Sequence, residues 1–211
     1  MVLKKRIAVV GGGLIGLATA YKLLLRHSDL SLDLFEKEAG PGKHQSGRNS
    51  GVLHCGLYYQ PGSLKAKLAV EGIQEMTDFC RTHEIDHEIC GKIVVASTDE
   101  QLATLDELAD RGKRNGLMGL TFLNPAEIKQ REPHVAAKKA LLVPQEGIVS
   151  YKAVMLKLVE LIEQAGGSIH FNAKIETVHN RTDGSISLKA EGQEWVFDRL
   201  VNCTGLYSDR T

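Results

Sequence analysis

Apolar and polar positions along the chain follow two rhythms, and the rhythm changes where the backbone is expected to change. Arg6–Val10 is a short, continuous β-rich apolar run of the kind found in strands buried on both faces. Leu14–Arg26 carries the Leu, Ala and Tyr content of a helix packed on a sheet, and Ser31–Phe35 alternates as a second strand ending at Glu36. Residues 39–62 are rich in Gly, Pro, Ser, His and Asn, yet Val52, Leu53, Leu57, Tyr58 and Tyr59 are too apolar for a disordered linker. A loop of that length inside a domain points to function.

Ser63 reads as the N-cap of a helix running to about His83, with Leu64, Leu68, Ile73, Met76 and Phe79 on its buried face. The texture then changes. Strands are expected at 85–89 and 92–97, a helix at 99–115, a strand at 119–123, and a further helix opened by Asn124-Pro125. Short strands come next at 141–144 and 147–149. Residues 151–164 form an amphipathic helix stopped by Ala165-Gly166-Gly167. Strands at 169–171, 173–179, 185–190, 194–197 and 200–203 complete the pattern, with turns at Asp183-Gly184 and Glu191-Gly192. The fold class is α/β: a Rossmann-like first part at 1–84, a mixed α+β insertion at 85–146, and a return to the first domain at 147–211.

Composition adds mainly exclusions. The 211 residues suffice for a buried core, and 26 basic against 26 acidic residues give no electrostatic reason to expect a nucleic-acid partner. Cys55, Cys80, Cys90 and Cys203 show neither CxxC pairing nor a histidine at zinc-binding spacing, so they read as reduced thiols and no metal is expected. The basic Met1–Arg6 segment, the apolar stretch Ile7–Ala20 and Ala18-Thr19-Ala20 imitate a secretory signal. The glycines between Gly11 and Gly16 break that stretch, and no apolar run is long enough to span a bilayer, so a cytoplasmic location is expected.

Those glycines carry the first chemistry. Gly11-Gly-Gly13-Leu14-Ile15-Gly16 is a G-x-G-x-x-G run between an expected strand and an expected helix, with Glu36 about 20 positions further on. In that context Gly11 permits the tight turn, Gly13 lets backbone approach a pyrophosphate, and Gly16 lets the helix pack on the strand. The helix N-terminus holds phosphate, and Glu36 accepts from ribose hydroxyls. FAD and NAD share this unit. The next segment distinguishes them, because Glu36-Lys37 leads into the donor-rich loop Gly42–Gly51 rather than another helix–strand unit, as suits a segment passing close to a flavin dinucleotide.

Glu36-Lys37 with the downstream run Ser46-Gly47-Arg48-Asn49-Ser50-Gly51 resembles the flavin-binding loop of the glycine oxidase and D-amino-acid oxidase superfamily. Within it, the run from His44 to Ala66 closely resembles the L-2-hydroxyglutarate oxidase and dehydrogenase family. So do Cys90-Gly91-Lys92, Arg131-Glu132-Pro133 and Gly147–Tyr151, and the resemblance covers nearly the whole chain. It implies FAD as cofactor and oxidation of L-2-hydroxyglutarate to 2-oxoglutarate. Electrons would pass to oxygen or a membrane quinone, the latter leaving peripheral association with the inner membrane face open. It also implies a backbone contact of Ile175 with adenine, and a terminal strand passing the dinucleotide at Thr204-Gly205. The family continues well beyond Gly205, so the chain reads as an N-terminal part, expected to fold, to self-associate through an incomplete sheet, and to be catalytically silent.

Among residues that could act in such a reaction, His54 is the candidate base, since imidazole has suitable proton affinity; a histidine merely bonded to flavin or loop backbone is the alternative. His44 is a weaker candidate, for covalent attachment of flavin. Arg48 could clamp a phosphate or a substrate carboxylate by its planar fork, whereas as an exposed loop arginine it would do neither. Lys65, Tyr58 and Tyr59 are candidates for the substrate pocket, although a surface lysine and packed tyrosines would look the same. Two rival functions stay open: an amine oxidase of the glycine or sarcosine type, and a non-enzymatic dinucleotide-binding module.

Overall fold

The computed structural model describes residues 4–210; Met1–Leu3 of the signal-like segment, and Thr211, lie outside the described residues. The chain begins with β1 (Lys5–Val10), α1 (Leu14–Arg26), β2 (Leu30–Phe35), β3 (Val52–Leu53) and α2 (Leu64–Thr82). It continues through β4 (His87–Glu88), β5 (Lys92–Ala96), α3 (Asp99–Arg114), β6 (Thr121–Leu123), α4 (Pro125–Arg131), β7 (Lys139–Val143) and β8 (Gly147–Val149). The last part holds α5 (Tyr151–Gln164), β9 (Ser168–His170), β10 (Ile175–Asn180), β11 (Ile186–Ala190), β12 (Gln193–Phe197) and β13 (Arg199–Asn202).

These elements form two compact units, one comprising the chain up to Ser50 and from Tyr151 onward, the other Gly51–Ser150. The first is built on a parallel sheet of order β13-β1-β2-β9, with Val9 opposite both Leu34 and Val201. Its central strands are buried on both faces, which explains why β1 reads as a continuous apolar run. Ala8, Val10 and Phe35 face Leu188, Ala190 and Phe197 of the antiparallel sheet β10-β11-β12. Phe35 is the hub of this layer, stacked on His170 at 4.7 Å and edge-on to Trp195 and Phe197 at 5.5 and 5.9 Å. Helices α1 and α5 contact each other and the parallel sheet, burying Leu17 and Ala20 from one and Val154, Met155, Leu158 and Ile162 from the other. The signal-like apolar stretch is therefore a strand, a turn and a helix.

The second unit holds two small antiparallel sheets, β3-β8-β4 and β5-β7-β6, with α2, α3 and α4. Its main core joins Cys55, Leu57, Ala96, Leu105, Ala109, Leu117, Leu141 and Val143, against which Val70 and Ile73 of α2 pack. That packing moves the first boundary to 50/51, ahead of the 84/85 expected from texture, because α2 contributes its apolar side to this core.

Two further expectations are corrected. Ser63 does cap α2, its hydroxyl accepting from the Ala66 amide at 3.2 Å, but Leu64 and Leu68 are 70% and 55% exposed. Ile73, Met76 and Phe79 are half-buried as expected, while Ala66 and Cys80, rather than the two leucines, are the fully buried positions. The loop at 39–62 is also more ordered than its composition suggests, containing a 3-10 turn at Gln45–Gly47 and the strand β3.

The N-cap of α4 carries a testable stability contribution. The Asn124 side chain accepts from the Ala126 and Glu127 amides at 2.9 and 3.1 Å, while Glu127 accepts from the Asn124 amide at 2.8 Å. Asn124→Ala should lower the stability of this unit by about 1 kcal/mol in urea unfolding. A change within error would show that the capping box contributes nothing here.

Candidate functional site

The turn from β1 into α1 is shaped by contacts that admit no side chain. A Cβ on Gly16 would lie 1.8 Å from the Gly11 carbonyl oxygen, so the helix can approach the strand only with glycine there. Gly11 has φ near +110°, and a Cβ on it would meet the Cys203 carbonyl at 2.5 Å. Gly12, an unrestricted position of the motif, is equally constrained, since its Cβ would fall 2.8 Å from that of Glu36.

Glu36 explains that crowding. Its carboxylate is 8% exposed and accepts from the Gly12 amide at 2.6 Å through Oε2 and from the Glu38 amide at 2.9 Å through Oε1. The residue expected to hold ribose therefore also ties the glycine loop to the end of β2. Each oxygen retains acceptor capacity for a ribose hydroxyl.

Ser46 supplies the second tie. Its hydroxyl accepts from the Leu14 amide at 2.9 Å, capping α1 from 32 residues away, and the Gly42 amide donates to the Gly12 carbonyl at 3.0 Å. The segment from Gly42 to Gly47 is thereby folded onto the glycine loop. A Cβ on Gly13 would press on the Ser46 hydroxyl at 3.0 Å, and one on Gly47 would strike the Gly42 carbonyl at 2.1 Å. At the other end of this unit, β13 brings Cys203 and Thr204 against Gly11, with Thr204 held by Asn202 at 2.7 Å and Gly205 opening a 3-10 turn.

The remaining expected cofactor residues occupy more varied surroundings. Ile15 is exposed at the helix start and Leu14 is half-buried. Lys37 bonds Glu38 at 2.5 Å, and that bond holds the ammonium above the usual lysine range. The same contact, with His44 at 3.0 Å, holds the Glu38 carboxyl below the usual carboxylate range. Arg48 and Ser50 are exposed, and Asn49 donates to the Ser46 carbonyl at 2.7 Å. Ile175 opens β10, half-buried against the Phe35 layer. Gly51 belongs to the second unit, where its carbonyl accepts from the Val149 amide. The adenosine and pyrophosphate half of a flavin dinucleotide fits what is brought together in the first unit: small residues along the turn, a helix N-terminus, and a buried carboxylate one strand away.

His54 lies in the second unit and has company that the sequence did not disclose. Its Nδ1 is 3.5 Å from Oε2 of Glu146, a carboxylate only 1% exposed, which also pairs with the Lys92 ammonium. The Cys55 thiol donates to Glu146 Oε1 at 3.5 Å, and burial, with this carboxylate second, pushes the thiol up to about 12. The Lys92 ammonium lies over the Tyr58 ring at 4.8 Å, and Lys65 lies over Tyr59 at 4.4 Å. No helix among the described residues is long and apolar enough to cross a membrane.

Residues 6–211 match the FAD dependent oxidoreductase family, DAO. The chain is 42% identical over 205 residues to an L-2-hydroxyglutarate dehydrogenase of Indibacter alkaliphilus, covering 97% of this chain and 51% of the relative. It is 39% identical over 215 residues to the human mitochondrial L-2-hydroxyglutarate dehydrogenase, covering 97% and 46% of the two chains. Among solved structures, glycine oxidase from Geobacillus kaustophilus superposes with a TM-score of 0.87 at 22% identity, over 98% of this chain and 57% of that one. L-alpha-glycerophosphate oxidase from Mycoplasma pneumoniae with FAD bound gives 0.82 at 24%, over 90% and 50%. The chain spans about half the length of the curated relatives it matches. It belongs to the FAD dependent oxidoreductase family, as the flavin loop resemblance implied.

Two measurements check this geometry. Glu36→Ala removes charge-assisted hydrogen bonds worth roughly 1.5–3 kcal/mol, so FAD affinity should fall about ten- to a hundredfold in titrations of the apoprotein. A loss below about twofold would show that Glu36 does not face the cofactor. In alkylation near neutral pH, exposed Cys90 should react readily and Cys55 only after unfolding. Rapid labelling of native Cys55 would contradict its burial against Glu146.

Proposed function

With family membership as the premise, we propose that the chain serves in FAD-dependent oxidation of L-2-hydroxyglutarate to 2-oxoglutarate. The observation that carries this reading is its 39–42% identity to L-2-hydroxyglutarate dehydrogenases over 97% of its own length. The relatives are twice as long, so the complete active site is taken to include residues beyond the half represented here.

Oxidation of a 2-hydroxy acid breaks the α-carbon C–H bond with departure of its electron pair, and the hydroxyl gives up a proton as the carbonyl forms. FAD, when bound, supplies the acceptor for that hydride. The residues of this chain do the rest by holding and moving protons. His54 takes the hydroxyl proton on a ring nitrogen of its half-exposed imidazole. Gly11–Gly16 and Glu36 would hold the adenosine and pyrophosphate, with Ser46 tying the segment that follows to the α1 terminus. Oxygen or a membrane quinone is the final electron acceptor in this reading.

Protein spanning the full length of the relatives, purified and reconstituted with FAD under anaerobic conditions, provides the test. L-2-Hydroxyglutarate should bleach the visible flavin absorption, and neither its D-enantiomer nor glycine should do so. Bleaching by glycine alone would replace this reading with amine oxidation, and a spectrum unmoved by L-2-hydroxyglutarate would overturn it.

A further inference from the structure

The cluster around Glu146 is the most unusual chemistry in the second unit. A carboxylate that is 1% exposed is costly to bury unless its charge is balanced, and Lys92 balances it. Strand pairing fixes where the carboxylate sits. In the antiparallel ladder of β3 with β8, Val52 pairs with Ile148 and Leu53 with Gly147, so the next position places His54 opposite Glu146. The backbone there has little freedom, because the Glu146 carbonyl accepts from the Gly91 amide at 2.8 Å and a Cβ on Gly147 would strike the Glu88 carbonyl at 2.2 Å. One carboxylate oxygen therefore meets both a permanent cation and the Nδ1 of a half-exposed imidazole, while Cys55 occupies the other. A buried ion pair serving stability alone has no need of the imidazole.

We infer that Glu146 is a positioning residue for His54, its Lys92-balanced carboxylate drawing the ring proton to Nδ1 and leaving Nε2 as the proton acceptor. This rests on the reading of His54 as the base of the proposed oxidation. Among the described residues, Glu146 is the carboxylate found against the ring, 3.5 Å from Nδ1, and Lys92 and Cys55 in turn contact that carboxylate. The 3.5 Å separation is long for a hydrogen bond, as catalytic contacts often are before substrate binds.

Imidazole nitrogen NMR on isotope-labelled histidine reads the tautomer without turnover, and His54→Gln assigns the signal. The neutral His54 ring should carry its proton on Nδ1. In Glu146→Gln the side-chain oxygen should stay toward the donor-only Lys92 ammonium, so the acceptor survives and so should the Nδ1–H form. The double variant Lys92→Met/Glu146→Leu removes the acceptor without leaving a buried charge unpaired, and the ring should revert to the Nε2–H form that free histidine side chains favour. In L-2-hydroxyglutarate oxidation the double variant should lose about 100-fold or more in kcat with KM little changed, and Glu146→Gln should recover most of it. An Nε2–H ring in the unmodified protein, or one unaltered in the double variant, overturns the inference and leaves the base reading intact. Undiminished turnover by His54→Gln, with the tautomer as expected, overturns the base reading and with it the positioning role.

Discussion

The Glu36 carboxylate, held 2.6 Å from the Gly12 amide at the end of β2, is the contact around which the cofactor half of this molecule is arranged. A buried carboxylate must be hydrogen-bonded, and here the partners are backbone amides of the two segments that have to be brought together. The contact depends on the parallel register that sets Val10 beside Phe35, continued by the Gly11 amide donating to the Phe35 carbonyl at 2.8 Å. It leaves no room for a side chain at Gly12, and Gly42 then closes on the Gly12 carbonyl while Ser46 caps α1. The glycine turn, the Glu36 carboxylate and the segment from Gly42 to Gly47 are in this sense one assembly, and an unpaired amide or a displaced strand end would disturb all three.

Local chemistry was legible wherever a short segment determined its own conformation. The β1–α1–β2 unit announced itself through apolar runs, glycines and an acidic residue at a set interval, and the caps at Ser63 and Asn124 were visible from residue type alone. On α2, leucines at helical spacing look like a core stripe, whereas Leu64 and Leu68 are exposed and the fully buried positions are Ala66 and Cys80. Ser46 read as a flavin contact, and the sequence did not disclose that its hydroxyl also accepts from an α1 amide distant in the chain. Glu146 gave no signal at all, lying in a Pro-Gln-Glu-Gly turn 92 residues after His54. Only the pairing of β3 with β8 discloses the contact.

The two units solve the burial of charge differently. In the first, Glu36 is satisfied by neutral backbone donors and keeps capacity for further hydroxyls, which suits a carboxylate that binds. In the second, the Glu146 charge is balanced by the Lys92 ammonium and one oxygen accepts from a thiol, while the other forms no hydrogen bond and has an imidazole nitrogen 3.5 Å away. The same contrast appears at the cysteines: Cys55 is made inert by burial beside a negative charge, and Cys203, pushed up by burial, serves as a small residue where β13 meets the glycine turn.

The central claim is that the first unit is built around the adenosine and pyrophosphate half of its cofactor, with Glu36 at the ribose and the α1 terminus at the phosphates. Titration of the apoprotein with FAD and, separately, with FMN tests it most directly, since FMN carries the same ring system without the adenosine. FAD should bind at least about tenfold more tightly, because the charge-assisted bonds at the ribose alone are worth about ten- to a hundredfold. Equal affinity for the two flavins would contradict it.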